Sequence, residues 1–470
     1  MVPETVNHFI GGQYARSTYG KTFGAADPAT GKEYARVAVG LAADVNNAVR
    51  AGLIAFETGP WPGLPARERA GVLNAIADGI DARAGDIAAA EVLGTGLPAA
   101  QARELADRAA GEFRRAAGLV PAPAAAVAPG AACYVSESPA GVAGVCTSWR
   151  MPFLGQARAV APALAAGCTV VLSPDLWTPL PAALLAEIGA GAGLPGGVLN
   201  VVYGTGDWRG DGDGARTDVP DALAAHPGVA RFSPAAGAPG SPCLIFADAD
   251  LDQAADSALF GAFALNGQRR TASTAVLAER PVYDALVSRL SARARRIRVG
   301  APADPSTELG PLVHAEHCER VSSYVRLGVR EGARMAAGGR RPAGLAEGNY
   351  LEATVLADVT PEMRIFAEEV GGPVLRVTPF RTDEEAVSLA SAAPRGPAAY
   401  LWTSDPERAH RLAPAIGAAA TWVNSHNPAD RAESPGGAGR ADGPAGVAFY
   451  TRSRTVHLGA GDGPVPRLGA

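Results

Sequence analysis

Cysteine is scarce in this chain: five thiols, at positions 133, 146, 168, 243 and 318, stand among 470 residues. No two are spaced as a CxxC pair, and an odd count points to free thiols in a reducing compartment, not to a disulfide framework or zinc ribbon. Also lacking is a long unbroken apolar run. The nearest, VPAPAAAVAPGAACYV from Val120 to Val135, holds prolines at 121, 123 and 129. Proline inside a helix removes a backbone hydrogen bond, so this run is not expected to span a membrane. The start, MVPETVNHFIGGQYARS, has no basic segment ahead of an apolar core, so it does not read as a secretory leader. A strong charge of one sign is missing too. A formal net charge of −5 is too small to recruit nucleic acid or an anionic membrane through the field of the whole molecule. A cytoplasmic protein with neither partner is expected.

What is present is alternation. The length is enough for two or three domains around sizeable cores. Asp44 is placed to cap a helix whose Val45, Val49, Leu53 and Phe56 line one face. A second helix carries Leu73, Ile76 and Ile80, and a third ends near Gly94-Thr95-Gly96. Three short apolar runs follow, GVAGVC (141–146), CTVVLSP (168–174) and GVLNVVYG (197–204), each of buried-strand length. QARAVAPALAAG and PLPAALLAEIGAGAG lie between them and read as helices. The result is β-α-β-α-β, the unit of a doubly wound α/β sheet. APADPSTELG (301–310) and the tail at 459–470 are loop-like, and the tail is expected to be disordered.

Several local motifs have bland readings that outweigh functional ones. GTGDWRGDGDG (204–214) lacks GxGxxG spacing and reads as a loop. DADLD (248–252) lacks the glycine and distal glutamate of a calcium loop and reads as a helix cap. HAEHC (314–318) has no second ligand cluster, so a solvated helix start is expected and no metal site. The arginines of SRLSARARRIR (288–298) read as a solvated helix face.

An ordered series of longer segments carries more weight. APALAAGCTVVLSP (161–174), GLPGGVLNVVYG (193–204), FADADLD (246–252), NGQ (266–268), ELGPLV (308–313), EEVGGPV (368–374) and WVN (422–424) occur in one sequence order. In this the chain resembles the aldehyde dehydrogenase superfamily, from about Phe9 to Leu458. The resemblance implies an α/β fold with a degenerate dinucleotide-binding-type domain at 1–120 and 140–237, and a catalytic-type domain at 238–430. It also implies a small β extension for oligomerisation, with strands at 121–139 and 447–458, the latter expected to pair with a neighbouring subunit.

The chemistry implied by the resemblance is nucleophilic and then redox. A cysteine thiolate attacks an aldehyde, an asparagine amide and a backbone N–H hold the oxyanion, hydride passes to NAD(P), and a glutamate activates water. Matched position by position, this chain departs from that set. Arg270 stands at the nucleophile position, one variable residue after NGQ. A guanidinium stays protonated and has no lone pair with which to attack. Ser273 and Thr271 flank it without a visible base. Arg150, in SWRMP, stands at the oxyanion asparagine, and Ala236 at the glutamate base. Ser173 and Leu176 replace the lysine and glutamate that hold the adenosine ribose. Residues 233–247, SPAAGAPGSPCLIFA, leave no room for the phosphate-facing helix, and their prolines and glycines oppose one. Glu369 matches the nicotinamide-ribose glutamate, while Gly371 stands where a phenylalanine is usual.

These departures point to a pseudoenzyme with a degenerate NAD site and no NAD(P) cofactor. Such a protein would be a scaffold or oligomer partner, as a homo-dimer or tetramer or with a catalytically complete relative. One alternative is a non-redox enzyme that uses an arginine-lined pocket, formed by Arg150, Arg269, Arg270, Glu369, Asn424 and His426, on an anionic or polarised small molecule. The other is an NAD(P)-dependent aldehyde dehydrogenase of atypical mechanism. Arg150 and Arg270 are expected to converge, and Arg269 to face away. Pairing of Glu369 with an arginine would add weight to reading the charges as drift, whereas an unpaired fork would favour a bound carboxylate or phosphate.

Overall fold

The computed structural model describes residues 2–121, 132–204, 219–235, 240–269, 271–394, 396–426 and 443–458. The expected doubly wound sheet is present. Strands Val142–Cys146, Thr169–Ser173 and Leu199–Val201 run parallel. The first two are buried at every residue, so their continuous apolar character reflects cover on both faces. The connecting helices, Pro152–Ala166 and Leu180–Gly191, match the two apolar segments between the strands. The full sheet has six strands, and Val229–Ser233 pairs on the other side of Val142–Cys146. The chain therefore reverses its direction of growth beside Val142–Cys146. A switch of this kind opens a crevice at the carboxyl ends of the strands, and Trp149 and Arg150 follow directly on it.

The helix Ala42–Glu57 buries Val45 and Val49 as its periodicity requires, but its cap differs from expectation. Asp44 sits in the first turn, where its carboxylate accepts from the Leu41 N–H at 3.0 Å and the Thr18 N–H at 2.9 Å. The helix starts earlier than Asp44, so this side chain reaches back over the turn and ties it to a distant loop. Asp250 does cap its helix, Leu251–Phe263, accepting from the N–H groups of Asp252 and Gln253.

A second sheet has seven strands, in the order Arg334–Ala337, Thr354–Ala357, Val374–Phe380, Ala275–Glu279, Pro242–Ile245, Ala398–Trp402 and Ala420–Val423. Only the edge strand Arg334–Ala337 is antiparallel to its neighbour. Pro242–Ile245 is fully buried in the middle, with Pro242 at the first position, where a missing N–H costs the ladder least.

The strand Thr451–Leu458, expected to meet a neighbouring subunit, pairs antiparallel with Ala132–Pro139 of its own chain. Residues Gly443–Phe449 are helical, and the C-terminal strand starts only at Thr451. Val447 and Tyr450 are buried in the core, which explains the change of conformation: one helical turn plants both side chains before the strand begins. The tail at 459–470 lies outside the described residues. No helix among the described residues is long and apolar enough to cross a membrane.

Candidate active site

Arg150 is placed by a strained turn. Met151 adopts a left-handed conformation, φ 47°, immediately before Pro152, the first residue of the helix Pro152–Ala166. The exposed N–H groups of that helix start are met from afar. The buried Glu91 carboxylate accepts from the Phe153 N–H at 2.8 Å. Burial pushes the Glu91 carboxyl up to about 8, although the Phe153 contact works in the opposite direction.

The Arg150 side chain points across the crevice and donates to Glu369 Oε1 at 3.0 Å. Its guanidinium lies over the Trp149 ring, 4.5 Å from the centroid. Gly371 explains why the usual phenylalanine is absent. A Cβ there would stand 3.2 Å from Glu369 Oε1 and 3.4 Å from the Arg150 guanidinium, on a backbone with φ 74°. The loop that carries Glu369 is braced by two more arginines. Arg320 donates to the carbonyls of Glu369 and Val370 at 2.7 and 3.0 Å. Arg376, fully buried, reaches the carbonyls of Ile365, Phe366 and Glu368 and the Thr274 hydroxyl. Burial raises the Glu369 carboxyl above its ordinary value and outweighs the pull of Arg150, Arg320 and Arg376.

The NGQ segment forms a second strained loop. Leu265 and Asn266 are both left-handed, with φ 55° and 58°. Non-glycine residues hold such a conformation only when their surroundings over-determine it. Here the fully buried Asn266 amide donates to the carbonyls of Gly96 and Pro311, both at 2.9 Å, and accepts from the Gly310 N–H at 2.7 Å. A Cβ on Gly267 would stand 2.5 Å from the backbone of Gly372, so the loop also packs directly on the Glu369 segment.

Arg269, expected to face away, is instead 2% exposed and turned inward. It donates to the Thr271 hydroxyl at 3.4 Å and lies over Phe260, 4.9 Å from the ring centroid. His426 closes on the same ring at 5.0 Å, held towards its neutral form by burial and then by the charge of Arg269. The expected convergence of Arg150 and Arg270 cannot be placed, because Arg270 lies outside the described residues, as does Ala236. Asn424 spends its side chain on its own surroundings. Its amide donates to Thr403 O and its carbonyl accepts from Thr403 N, so both ends bind one neighbouring backbone. Ser273 is buried against Gly261, and its hydroxyl makes no hydrogen bond among the described residues. The described thiols are no substitute for a nucleophile. Burial pushes Cys146 and Cys243 up to about 12 and raises Cys168 and Cys318.

HAEHC is a helix start, but not a solvated one. His314 caps the helix Ala315–Glu331, accepting from the His317 N–H, and its ring stacks on Trp177 at 4.0 Å. His317 is buried against Trp149 at 5.2 Å and shares a hydrogen bond with Gly371 O. Burial pushes these imidazoles down to about 4 and about 3, so both are neutral. Among the described residues no cluster suits a metal ion. His314, His317, Trp149, Arg320 and Arg376 were not among the candidates read from the sequence. The helix spacing of His314 and His317 was the available signal.

A dinucleotide fits the crevice only in part. Glu369, expected from the resemblance to meet a nicotinamide ribose, lies in the crevice paired with Arg150. At the phosphate end, residues 234–241 connect Val229–Ser233 to Pro242–Ile245, and none of those described is helical. Ser173 Oγ is spent on Gly204 O at 3.1 Å, and Leu176 is buried. Beyond Gly204 the glycine-rich segment lies outside the described residues.

The model of the aldehyde dehydrogenase family matches residues 14–456. The 2-hydroxymuconic semialdehyde dehydrogenase of Pseudomonas sp. (strain CF600) is 37% identical, over 96% of this chain and 99% of that protein. The crystal structure of HpcC from Thermus thermophilus superposes with a TM-score of 0.90 at 37% identity, covering 99% of this chain and 95% of that one. The NAD+ complex of the aldehyde dehydrogenase from Bacillus cereus gives 0.87 at 29%, covering 97% of both chains. The fold is therefore the aldehyde dehydrogenase fold. These likenesses overturn the expectation of a pseudoenzyme or scaffold without NAD(P), and favour a dehydrogenase of atypical mechanism over a non-redox enzyme. The expectation weighed a few replaced positions, whereas the likeness extends over both sheets and the strained loops between them.

Proposed function

We propose, from the premise that the chain belongs to the aldehyde dehydrogenase family, that it oxidises a carboxylate-bearing aldehyde to the acid without a cysteine nucleophile. The observation that carries this reading is the full-length likeness to a 2-hydroxymuconic semialdehyde dehydrogenase. A semialdehyde of a dicarboxylic acid keeps one carboxylate, and an arginine-rich site suits such a substrate. In this reading the chain is a divergent member, with Arg270 and Ala236 in place of the cysteine and glutamate. The six-stranded sheet belongs to a cofactor-type domain at 1–120 and 140–237, and the seven-stranded sheet to a catalytic-type domain at 238–430. The ribbon of Ala132–Pro139 and Thr451–Leu458 serves as the pairing surface of a homo-oligomer.

Without a thiol, the carbonyl is activated as its hydrate. Water adds to the aldehyde carbon, and the oxygen that gains charge faces the guanidinium of Arg150, a fixed cation with several N–H donors. Glu369, hydrogen-bonded to that guanidinium and raised above the ordinary carboxyl range, accepts the proton released from a hydrate hydroxyl. A carboxyl nearer neutrality is a better proton carrier than an ordinary one. Trp149 packs on the guanidinium and His317 packs on Trp149, which fixes the position of the cation. A nicotinamide dinucleotide in the crevice would supply the two-electron acceptor.

The test is reduction of NAD or NADP by purified protein with aldehydes of equal length, with and without a terminal carboxylate. Turnover is expected with the carboxylate-bearing compounds and should survive complete alkylation of the thiols. Loss of turnover on alkylation, or no reduction with any semialdehyde, would overturn the reading.

A further inference from the structure

The helix Ala315–Glu331 packs on the seven-stranded side of the molecule: a Cβ on Gly372, just ahead of the strand Val374–Phe380, would stand 2.8 Å from its Val321 side chain. Its first turn reaches across to the other side. There His314 stacks on Trp177 with the rings 4.0 Å apart and nearly parallel, and His317 meets Trp149 edge-on at 5.2 Å. Trp149 and Trp177 follow the strands Val142–Cys146 and Thr169–Ser173, at the carboxyl ends of the six-stranded sheet. Phe23 backs Trp177 at 4.8 Å, and the two imidazoles lie 5.7 Å apart. Two histidines and two indoles thus join the sheets across the crevice.

Both imidazoles serve in their neutral form. His314 Nδ1 accepts from the His317 N–H at 3.2 Å and so caps the helix. A proton on that nitrogen would turn the acceptor into a donor and leave the cap unmade. His317 Nε2 donates to Gly371 O at 2.8 Å, on the loop that carries Glu369. Nearby charge opposes a second proton as well: Arg150 faces His317 from the turn before Pro152, Arg320 from its own helix, and a charged His314 would repel it. The carboxylates of the neighbouring segments are engaged, Glu369 with Arg150 and Asp175 with the Trp177 N–H. Glu316 and Glu319 are exposed on the helix itself. Burial holds His314 at about 4 and His317 at about 3, both well below the ordinary 6.5.

We propose that His314 and His317 form an acid-operated latch between the two sheets, locked while both rings are neutral and released when they take up protons. Withdrawal of the helix from the tryptophans exposes both rings to water, where each titrates at its ordinary value. The closed state is therefore favoured in full above about 6.5. It loses ground as pH falls from there towards about 4, by about tenfold per pH unit for each ring. Release frees Gly371 O and Trp149 together, and so loosens both sides of the Arg150–Glu369 pair. The latch acts on the packing of the chain, with or without dehydrogenase activity.

Hydrogen exchange of the full-length protein, followed by mass spectrometry at pH 7, 6 and 5 and corrected for the intrinsic dependence on pH, tests the latch. Opening is read at the helix Ala315–Glu331, with the helix Ala99–Ala117 as control. Between pH 7 and pH 5 the wild type should lose protection in the first helix by up to about a thousandfold and keep it in the second. His314→Asn keeps a capping acceptor and His317→Gln keeps a donor for Gly371 O, and neither replacement titrates. Each alone should halve the logarithmic slope, and the double variant should abolish it. His8, also buried and held low by burial, stays in every variant as a common background. No loss of protection in wild type, or an undiminished slope in the double variant, overturns the inference. Equal loss in both helices overturns it too, as the mark of global unfolding. If the double variant does not fold, His317→Gln decides: about tenfold per pH unit supports the latch, and the wild-type slope of about a hundredfold ends it.

Discussion

Two arginines stand in the region where the chemistry is expected, and their surroundings differ. Arg150 meets a carboxylate, lies over an indole and faces a loop braced by Arg320 and Arg376. Arg269 lies over a phenyl ring, beside a hydroxyl, in the apolar wall of a cavity. The first environment fixes its cation in a crevice between the sheets, and the second sets its cation at the inner end of a space large enough for a small molecule. The comparison teaches that residue type alone does not tell an arginine tied to a carboxylate in a crevice from one that lines a cavity. Their placement does, because the same guanidinium acts as a strut between loops or as the wall of a cavity according to what packs around it.

If the Arg150 side is an internally braced assembly, its supports should govern stability, and the largest effect is expected at Glu91. Its carboxyl is raised from the ordinary 4.5 to about 8 by burial, so the folded protein keeps a proton that the unfolded chain releases. The stability tied to this group is complete below about 4.5 and is lost as pH rises through about 8, at up to about 1.4 kcal/mol per pH unit. Glu91→Gln should flatten that slope and gain on wild type with rising pH, by as much as about 5 kcal/mol in all. Urea midpoints across the range would show it, and parallel curves would mean that Glu91 is already ionised in the fold. Next comes Arg376→Ala, which strands several buried carbonyls and should cost about 3 kcal/mol by the same unfolding measurement. A loss below about 1 kcal/mol would show that the loop holds Glu369 without this brace.

Smaller effects sharpen the contrast between the two arginines. Glu369→Gln replaces the carboxylate beside Arg150 with a neutral amide and should destabilise by about 2 kcal/mol. It should also depress turnover through kcat, as the loss of a proton acceptor would. An unchanged kcat would confine Glu369 to bracing. On the other side, Phe260→Leu removes a cation–π contact and should cost only about 0.5–1 kcal/mol of stability. A stability loss there as large as that of Glu369→Gln would break the distinction between a bracing arginine and a cavity arginine.

Much of the fold was legible because it is written in local patterns. The parallel strands at 142–146 and 169–173 announce themselves as short apolar runs, and the helices between them as longer ones with alanine-rich faces. Asp250 is readable as a cap because the group it serves lies two or three residues away. Asp44 was misplaced because its second partner, Thr18, is twenty-six positions distant. The HAEHC histidines carry helical spacing, but nothing nearby in sequence says that Trp177 and Trp149 bury them.

Sequence was sufficient for the fold class, the order of strands and helices in the doubly wound sheet, and the fact that an arginine stands at 150 and at 269. Those follow from periodicity and residue type, which act over a few positions. The fate of each arginine was decided elsewhere. Arg150 and Glu369 lie 219 positions apart and meet only when the two sheets are packed. Arg269 becomes a cavity wall only because the helices Ala99–Ala117 and Leu251–Phe263 come together around it. Hydrogen bonds and ion pairs depend on distances of a few ångströms, and between remote segments those distances exist only in the folded chain.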